Sequence, residues 1–560
     1  MILFIHRCGI RYDYLIFMGF TLGMGVVGLI SVVLWNFVTI NIYLAIFISS
    51  ISIFITFILK KNRKFKIGIR LEIDSLLNII HIMTLSFIIL RSYLFFNGRD
   101  FVDYNYSTVR FYLSLISSYA YGSNTRNPHY YNMIWSSSIS SNDILVTYSS
   151  LLVVSGASLR TGLFLTVYLQ LCSLLISIKY LYEFFSTNYF GGMLCIILVL
   201  FSTSKYSIID TLSLNQIVSL PFLIFGITFL YNGIFKMFRK KNDFIIASIF
   251  FSLAFTVYPI HIYSVLVHSF TIMIFSFPYL YSEKWGIVIE KWLSFFSLMV
   301  FFNLPQMFYT QNINDYSLVL CRPNFSSIIG YSPYILILFF FHSWIGLYSK
   351  GQFLVQISFM FSFFLSLCFY TPQTSCIQAY IYCSYPFLVI SATNFLVWCL
   401  SSNHRILIVF SIILSSSLVL FGTVASANHI RINRNSTVTH SEDSLSGWVI
   451  QNTRKNSLFF CYERSFDPLI NYAGRQTIYE SDMHVVKAIG YLPSMYIQFY
   501  SIYRFLNSYE FISNYAIDYL LFTNKTAKER FLPEMAHFWI LLLEFENFSL
   551  YRKVPDNIAK

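Results

Sequence analysis

Two dense basic clusters, KKNRKFKIGIR at 60–70 and KMFRKK at 236–241, stand between long apolar runs. Lys and Arg collect in the short cytoplasmic loops of many-pass membrane proteins, so clusters of this kind determine how a chain is threaded. A helical span needs roughly 17–25 mostly apolar residues. Runs of that kind lie near 14–36, 40–59, 75–96, 161–182, 190–205, 211–235, 243–259, 260–281, 287–309, 333–349, 352–371, 376–400 and 405–424, about thirteen in all. With both basic clusters inside, the N-terminus is cytoplasmic, and Lys284, Lys350 and Arg405 also fall inside. Two polar parts then lie on the opposite face: a loop at 97–145 and a tail from 425 to the end. Any chemistry on the outer face must come from them.

Composition supports a bilayer as the solvent. Of 560 residues, 56% are hydrophobic and 11% charged, with a mean hydropathy of +0.62. A soluble chain of this length could not cover such a composition with polar surface. The net charge of +13 would suggest a nucleic-acid partner in a soluble protein. Here the tail holds 14 Lys/Arg against 13 Asp/Glu, so the surplus belongs to the first 424 residues, with 24 against 12. It lies largely in short loops, as threading requires, and no nucleic-acid partner is expected. The nine Cys show no metal-ligand spacing, and Cys461 has no evident partner in the tail. The first apolar run follows Arg7 and Arg11 and lacks a small-residue cleavage site, so it reads as a retained first span.

The expected organisation is a multi-pass membrane domain over 1–424 and a small extracytoplasmic α/β domain over 425–560. In the tail, SLSGWVIQNT reads as a short helix, and SLFFCYE and DYLLFT as strands. FWILLLEFENFSLYRKV reads as a hairpin turning near Glu546 and Asn547. Five Asn-x-Ser/Thr sequons, at Asn105, Asn324, Asn435, Asn524 and Asn547, all map to the outer side.

The outer loop is too long for a plain connector, since unstructured loops above about 12–15 residues are usually functional or disordered. Within it, FYLSLISSYAYG has apolar residues at helical spacing and is expected to lie along the membrane surface. Its ionisable candidates are Asp100, Asp103, Arg110, His129 and Asp143, with Arg160 just beyond. A carboxylate there can act as a base toward an acceptor hydroxyl or hold a divalent cation. An arginine can grip a lipid phosphate with two parallel hydrogen bonds. Asp210, His261 and Arg322 fall in other outer turns and share that side. His81, His268 and His342 lie inside apolar runs and read as hydrogen-bonded core histidines. No Walker loop, GxSxG, HExxH or dinucleotide fingerprint stands in a suitable context, which excludes the corresponding nucleotide, hydrolase and zinc chemistries.

Two stretches carry a resemblance to a known family. One runs from FYLSLISSYAYGSNTRNPHYYN to NDILVTYSSLLVVSGAS. The other is GWVIQNTRKNSLFFCYERSFDPLINYAGRQTIYESDMH, with Trp448, Asn452, Thr453, Gly474 and Arg475. Together they resemble the first outer loop and the C-terminal domain of polytopic glycosyltransferases of the GT-C type. That resemblance implies a GT-C-like helical membrane fold and transfer of sugar from a polyprenyl-phosphate donor to a glycan, lipid or protein acceptor. It implies Asp103, or else Asp100, as acceptor base or metal ligand. Arg110 and Arg160 would hold the donor phosphate, and His129 would position the acceptor. Some relatives use a divalent cation, Mg or Mn, which this sequence admits without requiring. A bacterial inner membrane fits the resemblance, and an endoplasmic reticulum membrane fits the sequons. The family places an acid directly before the loop helix. Here Tyr106 to Thr108 and Tyr112 occupy that region, with Asp100 and Asp103 the nearest acids. That departure motivates the alternatives: a non-catalytic flippase or scaffold, or a polymerase or ligase of envelope polysaccharide assembly.

Overall fold

The apolar runs become the helices of a bundle. A computed structural model describes residues 11–35, 73–96, 100–101, 143–186, 188–201, 214–235, 241–257, 285–309, 319–320, 332–345, 369–370, 384–432, 440–462, 473–477, 517–522, 539–545 and 548–554, with single positions within 43–50, 113–121, 265–274 and 356–364. The first helices are α1 (Tyr12–Trp35) and α2 (Ile73–Leu94), and α2 leads into a small hairpin, β1 (Phe95–Phe96) and β2 (Asp100–Phe101). Next come α3 (Asp143–Val154), α4 (Leu159–Phe185), α5 (Tyr189–Phe201), α6 (Leu214–Phe235), α7 (Lys241–Val257) and α8 (Trp285–Tyr309). After α8, β3 (Val319–Leu320) pairs with β4 (Phe369–Tyr370), and α9 (Pro333–Ile345) lies between them in sequence. The bundle closes with α10 (Tyr385–Leu400) and α11 (Arg405–Ile432).

Helix α4 sits at the centre, packed against α1, α2, α3, α5 and α6. Ser158 caps its start, accepting a 3.1 Å hydrogen bond from the Thr161 amide and so satisfying one of the first-turn donors. Its 27 residues span about 40 Å at 1.5 Å each, more than the ~30 Å of bilayer hydrocarbon. Helices α2 and α11 lie at the periphery and turn apolar side chains outward, with Ile73 76% and Ile406 83% exposed. Water would not tolerate two such faces, whereas lipid does. Among the described residues, three helices are individually long and apolar enough to cross a membrane: Ile73–Leu90, Leu159–Phe185 and Arg405–Val424. Shorter apolar helices pack between them. The chain is an α-helical polytopic membrane protein.

Lipid tails are as apolar as Leu, so close packing and internal hydrogen bonds must hold such helices together. At Gly422 of α11 a Cβ would stand 1.6 Å from the Phe201 carbonyl oxygen, so only glycine lets α11 and α5 approach this closely. Buried hydroxyls return to their own helix, as Thr166 does to the Gly162 carbonyl and Thr393 to that of Val389. Between helices, Asn232 donates to Asp243 at 3.0 Å and ties the end of α6 to the start of α7.

Each predicted span contains helical residues in the structure. Helix α3 is additional: it packs against α4 and α1 inside the bundle, and its 12 residues cover about 18 Å, little more than half the hydrocarbon thickness. Helix α11 continues unbroken past residue 424 to Ile432. Within the tail, α12 (His440–Asn452) covers one face of a five-stranded sheet ordered β6-β5-β7-β9-β8. Its strands are β5 (Leu458–Tyr462), β6 (Gln476–Thr477), β7 (Tyr519–Phe522), β8 (Trp539–Phe545) and β9 (Phe548–Lys553). Strand β5 runs parallel to β6 and β7, and β9 runs antiparallel to β7 and β8. Leu445 and Val449 of α12 pack on Phe459, Tyr519, Leu521, Phe548 and Leu550. The helix, the two strands and the hairpin therefore stand where the apolar runs bounded by polar residues place them.

Candidate functional site

At one end of α4 the loop at 97–145 is built into the bundle. Residues 113, 116, 117 and 119–121 are helical, and Leu113, Ile116, Ser117 and Tyr119 are buried. Their contact is with protein: the Ser150 hydroxyl of α3 lies 2.7 Å from the Val146 carbonyl and 3.5 Å from that of Ile116. The apolar side of that helix is seated on α3. Ser149 donates to Thr166 at 3.0 Å, which pins α3 back along α4.

The sequence candidates fall around this assembly. Asp100 pairs with Phe96 in the β1–β2 hairpin, directly where α2 ends. Asp143 is the first residue of α3, and Arg160 lies in the first turn of α4, half-buried. Asp103, Arg110, His129, Asp210, His261 and Arg322 lie outside the described residues, as do the five sequon asparagines. Of the three histidines, His268 is buried against the Phe387 ring. His342 Nδ1 sits 2.8 Å from the Ser391 hydroxyl. Ser391 gives its proton to Gln356 Oε1, so His342 Nδ1 must be the donor. His81 is exposed on the outer side of α2, which corrects its reading as a core residue: at a peripheral helix the apolar run faces lipid, not protein.

The tail reaches this end through Arg475. Its guanidinium is 1% exposed. Nε donates to Thr453 Oγ1 at 3.0 Å, and Nη2 is shared among the carbonyls of Val449, Ile450 and Thr453 at 3.2–3.4 Å. Those carbonyls close the end of α12, where the last acceptors of a helix lack the amides of a following turn; that of Val449 also accepts from the Thr453 amide and hydroxyl. Nη1 donates to Ala473 O at 3.0 Å and, across 354 residues of sequence, to Tyr121 O at 2.9 Å. Gly474 precedes it at φ 64°, the left-handed region where glycine carries no Cβ penalty. Burial lowers the Arg475 pKa to about 10, so the group stays cationic at neutral pH. Thr453, Gly474 and Arg475 were legible as a motif. The link to Tyr121 runs through a backbone carbonyl and left no mark on residue identity.

A second polar centre lies at the opposite end of α4. Arg11 pairs with Asp13 at 3.1 Å and with Glu183 at 3.7 Å, and Lys179 pairs with Glu183 at 3.6 Å. Asn78 donates to Asp13 and accepts from Lys179, each at 2.5 Å, and Tyr14 donates to Glu183. None of Asp13, Asn78, Lys179 or Glu183 was singled out in the sequence. The available signal was a Lys and a Glu four apart at the end of an apolar run, since charge at membrane depth is seldom idle. Among the described residues no three His, Cys, Asp or Glu side chains gather as a metal site, so the described residues supply none for the cation.

No family model matches the chain, and no curated protein matches it. Among solved structures it is similar to the crystal structure of ArnT from Cupriavidus metallidurans in the apo state, at 10% identity and a TM-score of 0.49. It is likewise similar to that of ArnT bound to undecaprenyl phosphate, at 11% identity and a TM-score of 0.46. Each comparison covers 86% of this chain and 98% of the other.

Proposed function

We propose that the chain is an integral-membrane glycosyltransferase of the GT-C type, moving a sugar from a polyprenyl-phosphate donor to an acceptor on the extracytoplasmic face. The observation that carries this reading is the seating of the loop helix on α3: a solvated connector would not bury Leu113, Ile116 and Ser117. The resemblance of the loop and tail segments supports it. Asp103 takes the proton of the acceptor hydroxyl, with Asp100 as the second candidate. The acceptor oxygen bonds to the anomeric carbon as the bond from that carbon to the phosphate oxygen breaks, and the polyprenyl phosphate leaves with the electron pair. Arg110 and Arg160 hold the phosphate as its charge grows, and His129 orients the acceptor. Asp143, Asp210 and His261 are further candidates for binding substrate. No step is routed through a cation. The N-terminus is cytoplasmic, and the tail, over 425–560, is the extracytoplasmic domain.

The test is transfer from a panel of radiolabelled polyprenyl-phosphate sugars by purified wild type and Asp103→Asn in parallel. Loss in the variant of about 100-fold or more, typical of a removed general base, is expected. Wild-type rates in Asp103→Asn remove that residue from the mechanism. Folded wild type that transfers from no donor, yet moves a polyprenyl-linked glycan across a vesicle membrane, replaces the transferase with a flippase.

A further inference from the structure

We infer that Arg475 is a positioning residue by which the tail holds the end of the outer-loop helix. Burying a cation is costly unless its donors are satisfied. Among the described residues Arg475 makes six hydrogen bonds, all to carbonyls or a hydroxyl. Val449, Ile450 and Thr453 lie at the C-terminal end of α12, and Tyr121 is the last described residue of the loop helix. The end of α12 carries roughly half a negative charge from its last carbonyls, which favours a cation there. The guanidinium bridges that end and the Tyr121 carbonyl of the loop helix. The planar fork is needed for this, because a lysine ammonium cannot reach both in fixed directions.

The consequence falls on the segment after Tyr121. The chain there enters 122–142, which carries His129, and leaves behind a helix preceded in sequence by Asp103 and Arg110. Fixing the Tyr121 carbonyl fixes the helical residues that lead into that segment. The catalytic part of this inference rests on the transferase reading above, while the clasp itself does not.

The experiment is hydrogen–deuterium exchange on the full chain in nanodiscs, comparing wild type, Arg475→Lys and Thr453→Val. Amides of 113–121 are expected to exchange about tenfold faster in Arg475→Lys, while those of β7 and β9 keep wild-type rates. Thr453→Val removes two bonds, from Arg475 and to Val449 O, both inside the tail, and leaves the loop within about twofold of wild type. Loop exchange unchanged in a folded Arg475→Lys overturns the clasp. Should that variant lose the sheet as well, proximity is read in the otherwise wild-type chain by pairing Tyr121→Cys with Ile450→Cys. A cross-link by a short bifunctional thiol reagent, found by peptide mass spectrometry, supports the clasp, and its absence overturns it. Where transfer is measurable, Arg475→Lys is expected to lower kcat with KM nearly unchanged. Absence of transfer in wild type counts against the enzymatic reading and leaves the exchange result standing.

Discussion

At one end of α4, two cations and two carboxylates meet where α1 begins and α4 closes, and Asn78 of α2 connects Asp13 to Lys179. At the other end a single guanidinium meets carbonyls and one hydroxyl. The first arrangement is neutral by pairing of side chains, so each member depends on the identity of the others. The second is balanced by backbone, so it depends on the shape of one arginine and tolerates change in its neighbours. The two ends suit different tasks. Side-chain pairing joins helices that need not part after assembly. A backbone clasp can hold a loop whose side chains are reserved for other work.

The sharpest way to break the comparison is Lys179→Met. Lys179 is buried completely, and its removal leaves Asp13 and Glu183 with Arg11 as their remaining cation and deprives Asn78 Oδ1 of its donor. Breaking a buried pair in this way costs about 3–5 kcal/mol. The expected outcome is loss of most folded protein after a thermal challenge in detergent. Adding Glu183→Gln should recover part of the loss, with a coupling above about 1 kcal/mol because the two residues share one web. Full additivity would mean that the web is not a unit.

At the clasp end, Gly474→Ala tests geometry without touching a hydrogen-bonding group. At φ 64° an added Cβ costs about 1–2 kcal/mol. Because Gly474 directly precedes Arg475, that strain should appear both as a lower unfolding temperature of the tail and as a few-fold rise in loop exchange. A change in the tail with the loop silent would show that Arg475 finds its partners regardless of the backbone that presents it.

How much of this was legible depends on what kind of atom does the holding. The bundle was, because apolar runs bounded by charge are written in residue types. Helix α3 was not among the predicted spans, since DILVTYSSLLVV is shorter than a span and comes directly after polar residues. In the tail, α12, β5, β7 and the β8–β9 hairpin came from apolar runs bounded by polar residues, whereas β6, two residues long, offered no pattern to find. Of the candidate site, Asp100, Asp143 and Arg160 have described places, and Arg475 with Thr453 emerged from a short motif. The contact that joins loop to tail passes through the Tyr121 carbonyl, which any residue at that position would present. Asp13, Asn78 and the Lys179–Glu183 pair are far apart in sequence, and only the packing of α1, α2 and α4 makes them one group.

The smallest effect is expected at the rim of the charged web. Arg11 is 37% exposed at its side chain, and its contacts with Asp13 and Glu183 are partly open to solvent and ions. Pairs of that kind contribute roughly 0–1 kcal/mol, because water screens the attraction and the long side chain gives up freedom to make it. Arg11→Gln should therefore cost no more than about 1 kcal/mol, provided Lys179 goes on neutralising the two carboxylates from inside. The same thermal challenge used for Lys179→Met measures it, and the ratio of the two losses is the informative quantity. A large ratio locates the strength of the web in its buried half, between α2 and α4. A ratio near one would mean that the web is held from its exposed rim, which would make that end of the bundle sensitive to salt and remove the contrast with the clasp.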